Sequence, residues 1–170
     1  MNVSLTKVSQ KDLSKIILWR NSETVWRFSN QYILLNMKKQ KQWFDQISKE
    51  DSKFVFMIHF NKKPVGVCSL INYQKELKCA EVSIMIGEKN LQGKCIGKQS
   101  LEKLLEFGFN KLNLHRIEAN IFDFNCISKE FFMTMGFFHE CVLREKLWRN
   151  GKWCDVELYS ILRNEFKKRT

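Results

Sequence analysis

The sequence predicts an α+β fold, with a mixed, mostly antiparallel sheet of about seven strands flanked by about four helices. Three observations predict it. Runs rich in β-branched and aromatic residues alternate with amphipathic stretches in the order β-α-α-β-β-β-α-β-α-β-β. Two turn signals, Asn61–Pro64 and Asn150–Gly151, predict antiparallel hairpins. Between them, residues 78–121 give a strand, a loop, a helix and a strand, so the sheet is mixed and not doubly wound.

In the N-terminal half, two helices precede an antiparallel meander. Ser9 is a favourable N-cap, and Leu13, Ile16 and Ile17 follow it at helical spacing. The aromatic segment Ser22–Leu35 is irregular and separates the two helices. The elements expected here are a strand at Val3–Val8, helices at Ser9–Asn21 and Asn36–Lys49, and strands at Phe54–Phe60, Val65–Tyr73 and Ala80–Ile86.

In the C-terminal half, the apolar period becomes helical after Gly97. Asn125 or Cys126 caps a further helix, and Gly136 is placed to end it in a left-handed conformation. The elements expected here are a central helix from Gly97 towards Leu112, a strand at His115–Ile121, a helix that carries Ile127, Phe131 and Met135, and strands at Phe138–Trp148 and Trp153–Leu162.

Composition predicts one folded domain, residues 1–170. The chain is 44% hydrophobic and 13% aromatic, which is typical of a packed globule. Its 29 basic and 18 acidic residues give a formal net charge of +11. The basic residues are scattered, with short clusters only at Lys38–Lys41 and Lys167–Arg169. An anionic cofactor and an anionic substrate explain this charge as well as a polynucleotide does, so nucleic acid is not the expected partner.

The chain carries no pattern of a membrane or metal protein. Its N-terminus lacks the apolar run of a signal peptide, and no apolar stretch approaches the ~20 residues of a spanning helix. Its six cysteines form no CxxC pair and show no zinc spacing. We therefore expect a cytoplasmic protein with no disulfide and no metal.

The loop Gln92–Lys98, between the central strand and the central helix, is a candidate anion site. Its small residues let main-chain N–H groups gather on one anion, and the helix that follows adds the positive end of its dipole. Neither GxxxxGK[ST] nor GxGxxG is present, so the two commonest phosphate motifs are excluded. These residues alone leave open whether the loop binds phosphate or is an ordinary turn before a helix.

The loop resembles the acetyl-CoA signature of the GNAT N-acetyltransferase superfamily, Gln/Arg-x-x-Gly-x-Gly/Ala, in the form Gln92-x-x-Cys95-x-Gly97. Cys95 stands in place of the first glycine of the signature. The predicted element order is similar to the GNAT fold along essentially the whole chain. Three further matches resemble the branch that contains ribosomal-protein N-terminal, polyamine and nucleotide-amino-sugar acetyltransferases: Leu114–Ala119, Asn125-x-x-Ser128 with Gly136-Phe137, and Asn150-Gly151-x-Trp153-x-Asp155-Val156.

This resemblance implies that acetyl-CoA is the acetyl donor. The loop would hold the pyrophosphate of the donor. The free edge of the strand that ends at Ile86 would pair with the pantetheine arm and offer an N–H to the thioester oxygen. The cofactor-binding residues implied in this way are Met85, Ile86, Gln92, Gly93, Lys94, Cys95, Ile96, Gly97, Lys98 and Asn125.

The resemblance also implies Glu81 and Ser128 as catalytic residues. The family commonly uses a carboxylate on the central strand as the base, and Glu81 fits by position, although it could equally be an ordinary strand acid. Glu145 and Asp155 of the closing hairpin are weaker candidates. Many GNATs place a tyrosine where this chain has Phe132, which leaves Ser128 as the donor near the leaving thiolate, unless it only caps a helix. Since no activated nucleophile is evident, we expect direct transfer without an acetyl-enzyme.

Trp19, Arg20 and Asn21 are the implied acceptor-binding residues, because the Trp-Arg-Asn end of the first helix resembles acetyltransferases of nucleotide-linked amino sugars. Aromatic side chains could stack on a base or a sugar, and Arg20, Arg27 or Arg149 could pair with a diphosphate. The expected acceptor is therefore a small, anionic molecule with a primary amine, a nucleotide-linked amino sugar.

Other acceptors and one other class of function stay open. A protein N-terminus is the main competing acceptor, and a polyamine is another, although a polycation would favour clustered acids. The alternative of another class is a non-catalytic GNAT-like module that binds CoA or RNA. A monomer or a homodimer is expected.

Overall fold

The computed structural model describes residues 2–29 and 32–168, which include a seven-stranded sheet. The strands lie in the order β1-β2-β3-β4-β5-β7-β6. β4 and β5 are parallel and all other neighbours are antiparallel, which confirms the predicted mixed sheet. The strands are β1 (Val3–Lys7), β2 (Phe54–Phe60), β3 (Lys63–Gln74), β4 (Cys79–Ile86), β5 (Arg116–Phe122), β6 (Phe138–Arg149) and β7 (Lys152–Leu162).

Six α-helices occur in the described part of the chain, two more than the sequence predicted. The two additional helices, α2 and α6, are four and five residues long, too short to show a helical period in the sequence. The central helix α4 ends in a π-helical turn, Phe107–Lys111. The helices are α1 (Leu13–Arg20), α2 (Glu23–Trp26), α3 (Met37–Ile47), α4 (Ile96–Glu106), α5 (Cys126–Thr134) and α6 (Arg163–Lys167). The predicted segment Ser22–Leu35 and the basic cluster Lys167–Arg169 lie partly outside the described residues.

The two faces of the sheet carry two hydrophobic cores. The larger core contains buried residues of α4, α5 and α6 together with inward-facing strand residues such as Val82 and Ile117. The smaller core, on the opposite face, joins α1 and α3 to the sheet through Trp19, Met57 and Met85. Because strand side chains alternate between faces, odd-numbered residues of β4 face α1 and even-numbered residues face α4.

The predicted hairpin and helix-end signals have the expected backbone conformations. Asn150 and Gly151 both have positive φ, 51° and 77°, as a two-residue hairpin turn requires. Gly136, with φ of 86°, follows the end of α5 as predicted. The first turn is tighter than predicted, since Asn61 and Lys62 form it alone and Pro64 already pairs with His59 in the β2–β3 ladder.

The sheet opens between its two parallel strands. β4 and β5 are paired only from Cys79 to Glu81 on one strand and from Arg116 to Glu118 on the other. Beyond these residues β4 continues to Ile86 and β5 to Phe122 without further pairing. The two strands therefore diverge towards their C-terminal ends. We call the space between them the gap.

Candidate functional site

The open edge of β4 presents main-chain groups to the gap. The Lys78 carbonyl accepts a hydrogen bond from the His115 N–H, 2.7 Å away on the β5 side. The Gly87 N–H instead donates to Val65 on the β3 side at 2.9 Å. Since the N–H and C=O of one residue share an edge and successive residues alternate between edges, the main-chain groups of Ile84 and the N–H of Ile86 point into the gap. An extended ligand arm can pair with these groups as a strand would.

The predicted anion loop follows directly and leads into α4. Gly93 and Cys95 have left-handed backbone conformations, with φ of 74° and 58°. Cys95 is the N-cap residue of α4, and no side chain caps this helix end. The N–H groups of the first turn therefore remain available to an anion beside the exposed cations Lys94 and Lys98. This arrangement fits the pyrophosphate of acetyl-CoA.

The remaining loop residues have more structural roles. The Gln92 side chain donates to the Ile86 carbonyl at 2.9 Å and so ties the loop to the end of β4. The Ile96 side chain is buried in the larger core, which leaves only its main chain for a ligand. A Cβ atom at Gly97 would lie 3.6 Å from the Phe131 ring, an ordinary contact. The protein itself thus leaves room for a side chain at this glycine.

Helix α5 packs against the loop through Phe131. Asn125 caps this helix, because its side-chain oxygen accepts the Ser128 N–H at 3.2 Å. Ser128 is half-buried one turn before Phe131, which would contact a Cβ at Gly97. Phe132, at the position of the family tyrosine, is buried in the larger core and carries no hydroxyl. The structure thus gives the capping role to Asn125 and leaves the Ser128 side chain on the helical turn before Phe131.

The opposite face of β4 and β5 forms an open floor, composed of Glu81, Ser83, Glu118 and Asn120. Ser83 and Asn120 are exposed although they lie on central strands, so no helix covers the sheet at this point. Glu81 and Glu118 are register partners in the parallel pair. Glu81 accepts a hydrogen bond from the Asn72 amide at 3.1 Å, and no cation within 2–29 or 32–168 pairs with it.

A network of charges continues from this floor towards β6. Arg116 lies 2.7 Å from both Glu118 and Glu140. Glu140 also accepts a hydrogen bond from Ser160 at 2.5 Å. The hydrogen bonds from Ser160 and Arg116 lower the pKa of Glu140 from its usual value. One guanidinium is therefore paired with two carboxylates, and Glu81 has no cationic partner among the described residues. Negative charges outnumber positive charges among the side chains of the floor and this network.

The three residues predicted to bind the acceptor lie at the end of α1, beside the end of β4. Trp19 is buried against Gly87, and its indole N–H donates to Glu88 at 3.3 Å. Burial lowers the pKa of Arg20, whose Nε has no hydrogen-bond partner. Asn21 uses both ends of its amide on the main chain of Leu35, at 2.8 Å each. Two of the three side chains therefore already have partners within the chain.

Arg149 has a different role from the one its sequence context suggested. It was expected to be free to pair with a diphosphate, but it is 4% exposed. Its guanidinium donates to the carbonyls of Arg27 and Ser29, at 3.2 and 2.5 Å. It also lies over two rings, 4.2 Å from the centre of Tyr32 and 4.9 Å from that of Phe122. No local sequence signal shows this role, because all its partners are far away in the chain.

Three aromatic rings stack in series with this guanidinium, and we call the four side chains the ring column: Trp26, Tyr32, Arg149 and Phe122. Trp26 stacks on Tyr32 with ring centres 4.0 Å apart. The column joins Trp26, Tyr32 and the β6–β7 hairpin to the end of β5. Since Trp19 fixes the end of α1 at the end of β4, the described residues 22–29 and 32–35 reach from that side of the gap to the end of β5.

The other acids and tyrosines of the C-terminal hairpin have structural partners. Asp155 accepts the Glu145 N–H at 2.7 Å, within an irregularity of the β6–β7 ladder. Burial alone would raise the pKa of Glu157, but hydrogen bonds from Lys129 and Tyr159 hold this pKa below its usual value. Burial and the bond to Glu157 raise the pKa of Tyr159 to about 12. The lowered pKa of Glu157 and the raised pKa of Tyr159 make these two groups unsuited to exchange a proton near neutral pH.

The described residues carry neither a membrane-spanning helix nor a metal-binding cluster. No helix within 2–29 or 32–168 is long and apolar enough to cross a membrane. The same residues contain no group of three or more His, Cys, Asp or Glu side chains that could hold a metal ion. The six cysteines are free: Cys68, Cys79, Cys95, Cys126, Cys141 and Cys154.

Comparison with known proteins gives the family. Residues 2–138 match the family model of the acetyltransferase (GNAT) domain. The chain belongs to the GNAT acetyltransferase family. An uncharacterised N-acetyltransferase p20 from Bacillus licheniformis is 23% identical over 169 residues, which cover 96% of this chain and 94% of that protein. The spermidine N(1)-acetyltransferase of Vibrio cholerae is 28% identical over 109 residues, 64% of this chain and 62% of that one.

A solved structure shares the GNAT fold over nearly the whole length. The spermidine N-acetyltransferase of Vibrio cholerae, in complex with CoA and spermine, superposes with a TM-score of 0.90. It covers 97% of this chain and 98% of its own, at 22% identity, so the likeness shows the fold. The chain is thus an acetyl-CoA-dependent N-acetyltransferase, and of the two classes expected from the sequence the enzyme is the one supported.

Proposed function

We propose that this GNAT enzyme transfers the acetyl group directly to a primary amine of a polyamine. The sequence favoured an anionic acceptor, a nucleotide-linked amino sugar, and kept the polyamine as an alternative. The charges at the floor favour the alternative. The relatives named as spermidine acetyltransferases support the same choice, although they are similar and not identical enzymes.

The observation that carries this proposal is the excess of carboxylates on the open floor. Glu81 has an amide partner but no cation, and Glu118 shares Arg116 with Glu140. One of the three arginines expected to bind a diphosphate is unavailable, since the Arg149 guanidinium is buried and donates to main-chain carbonyls. This negative charge strengthens the binding of a cationic acceptor and weakens the binding of an anionic one. The net charge of +11 belongs to the whole surface, and the floor has the opposite sign.

The chain's own residues would divide the reaction between the two sides of the gap. Bound acetyl-CoA supplies an acetyl group activated as a thioester. The first turn of α4, with Lys94 and Lys98, would hold its pyrophosphate, while Ile84 and Ile86 pair with its arm. Glu81 would receive the proton that the amine loses, directly or through water. Ser128 would donate a hydrogen bond on the thiolate side. No residue of the chain forms a covalent intermediate.

An assay of thiol release across an acceptor panel tests the proposal. The panel contains spermidine, spermine, N-terminal peptides, UDP- and dTDP-amino sugars and aminoglycosides. We expect kcat/KM for spermidine to exceed that for any sugar nucleotide by about 100-fold, which corresponds to ~2.7 kcal/mol. Activity with spermidine should fall as salt rises, because the floor binds a polycation through partly exposed charges. Activity confined to peptides or amino sugars would refute the polyamine assignment and leave the donor site intact.

Replacement of a floor carboxylate gives a sharper test. Glu118→Gln removes one negative charge without removing Glu81, the proposed base. We expect a higher KM for spermidine with little change for a short monoamine such as propylamine, because only the longer acceptor has a second charge to place. Glu130→Gln, at an exposed position of α5, is the matched control and should change neither value. Equal changes in KM for spermidine and propylamine would show that Glu118 does not bind the second positive charge of spermidine.

A further inference from the structure

We propose that Arg149 is a positioning residue for the acceptor, because it fastens residues 22–35 across the gap. It acts through the acceptor segment, defined as the described residues 22–29 and 32–35. The inference rests on the proposed function only for the identity of the amine.

The acceptor segment is held at two places, one on each side of the gap. At the β4 side, Asn21 holds the main chain of Leu35 and so closes the base of the segment. At the β5 side, Arg149 holds the carbonyls of Arg27 and Ser29 and stacks on Tyr32. Without the second attachment, the described residues of the segment keep the Trp26–Tyr32 and Phe28–Phe124 ring contacts. They lose the stacking on Arg149 and the hydrogen bonds from its guanidinium to Arg27 and Ser29.

The chemistry of arginine is required at this position. The guanidinium is buried without a carboxylate, so its charge is met by two carbonyl oxygens and two ring faces. A planar group with several N–H donors can satisfy both kinds of partner at once. Lysine would place a compact charge at the end of a flexible stem, and it cannot stack between Tyr32 and Phe122 while bonding both carbonyls.

The position of Phe122 links this attachment to the acceptor. Phe122 ends β5 on the same face as Asn120, an exposed residue of the floor, two positions earlier. The ring column therefore stands at the side of the floor where β4 and β5 are furthest apart. If the contacts of the ring column are lost, the acceptor segment beside the floor should move. The loop Gln92–Lys98 and the open edge of β4 should stay in place. Acceptor binding should suffer and donor binding should not.

Steady-state kinetics of Arg149→Lys and Arg149→Met test this inference. The assay uses whichever amine of the panel is turned over fastest, so the outcome does not depend on the polyamine assignment. For both variants we expect KM for the amine to rise about tenfold, equivalent to ~1.4 kcal/mol. We expect kcat to fall less than about threefold and KM for acetyl-CoA to stay unchanged. Arg144→Lys and Arg144→Met, at an exposed position of the same hairpin, are the matched controls.

Hydrogen exchange and chemical rescue separate positioning from general damage. In Arg149→Met, peptides from residues 22–35 should exchange faster while those from α4 and α5 keep wild-type rates. In Arg149→Ala, millimolar guanidinium should lower KM for the amine towards the wild-type value, and methylammonium should not. An unchanged amine KM in Arg149→Lys, or equal rises in the KM values of donor and amine, would overturn the inference. So would wild-type exchange of residues 22–35 in Arg149→Met.

Discussion

The two sides of the gap are built from different parts of the chain. The proposed donor side is drawn mainly from two neighbouring stretches, the edge of β4 and the loop Gln92–Lys98, and consists largely of main-chain N–H groups. The acceptor side collects side chains from α1, β4, β5 and the β6–β7 hairpin, which are distant in sequence. A site made of main-chain groups depends on loop conformation, whereas a site made of side chains depends on long-range packing. Substitutions on one side should therefore leave the other side intact.

The largest expected effect is on turnover, from the acceptor side. Glu81→Gln removes the proposed base but keeps the hydrogen-bonding shape of the side chain. We expect kcat to fall about 100-fold or more, as for the loss of a general base, with the dissociation constant of acetyl-CoA unchanged. Glu106→Gln, an exposed acid on α4, is the control and should behave as wild type. A wild-type kcat in Glu81→Gln would place the base elsewhere.

The next effect is on donor binding alone. Gly97→Glu places a negative side chain in the first turn of α4, where the pyrophosphate is expected. Acetyl-CoA at about 100 times its dissociation constant should stabilise the wild type by ~2.7 kcal/mol, a shift of several degrees in Tm. The shift should vanish in Gly97→Glu. Gly97→Ala should keep it, because the modest contacts at this position accept a Cβ. A full shift in the glutamate variant would show that the loop is not the phosphate site.

A smaller effect separates catalysis from helix capping within α5. Ser128→Ala should lower kcat by about threefold to tenfold, if its hydroxyl assists the leaving thiolate, with little change in Tm. Asn125→Ala should instead cost ~1 kcal/mol of stability, because it removes the N-cap of the same helix, and should retain most of kcat. The comparison uses thermal unfolding and thiol release on both variants. A stable, fully active Ser128→Ala enzyme would remove Ser128 from the mechanism.

The smallest effect concerns the residue that departs from the family signature. Cys95 has a φ of 58°, a conformation that costs an L-residue ~1–2 kcal/mol. Cys95→Gly relieves this cost but gives the unfolded chain more freedom, worth ~0.4–1 kcal/mol, so stability should rise by ~1 kcal/mol or less. Acetyl-CoA affinity should stay within about threefold of wild type, since the loop keeps its shape. Cys95→Val should lose both stability and donor affinity. A large loss of affinity in Cys95→Gly would mean that the thiol itself takes part.

The donor side shows why a motif can be recognised in spite of a substitution. The sequence predicted the strand, loop and helix in the right order because each depends on neighbours in the chain. It also noted Cys95 at a glycine position, and the structure adds that this residue holds the left-handed conformation that glycine would adopt easily. Gly97 has no such requirement within the protein. The signature therefore fixes a backbone shape, and a cysteine can hold it at a modest energetic cost.

The acceptor side could be predicted only in part. The face of Glu81 follows from the sequence, because alternation along a strand is a local property, but its role as a base stays a prediction. Arg149 was misinterpreted, since its burial depends on Arg27, Ser29 and Tyr32, more than a hundred residues earlier. Asn21 was selected for a ligand, yet its amide closes the acceptor segment on Leu35. No periodicity or spacing in the sequence distinguishes a polar side chain that binds a ligand from one that binds its own chain.

The open edge of β4 also links the survival of the folded protein to the supply of its donor. A donor that pairs with this edge binds the native state and not the unfolded chain. At about ten times its dissociation constant, the donor adds ~1.4 kcal/mol to the free energy of unfolding and lowers the unfolded fraction about tenfold. Where proteolysis follows the population of open forms, degradation slows by the same factor. A fall in acetyl-CoA would thus shorten the lifetime of the enzyme that consumes it.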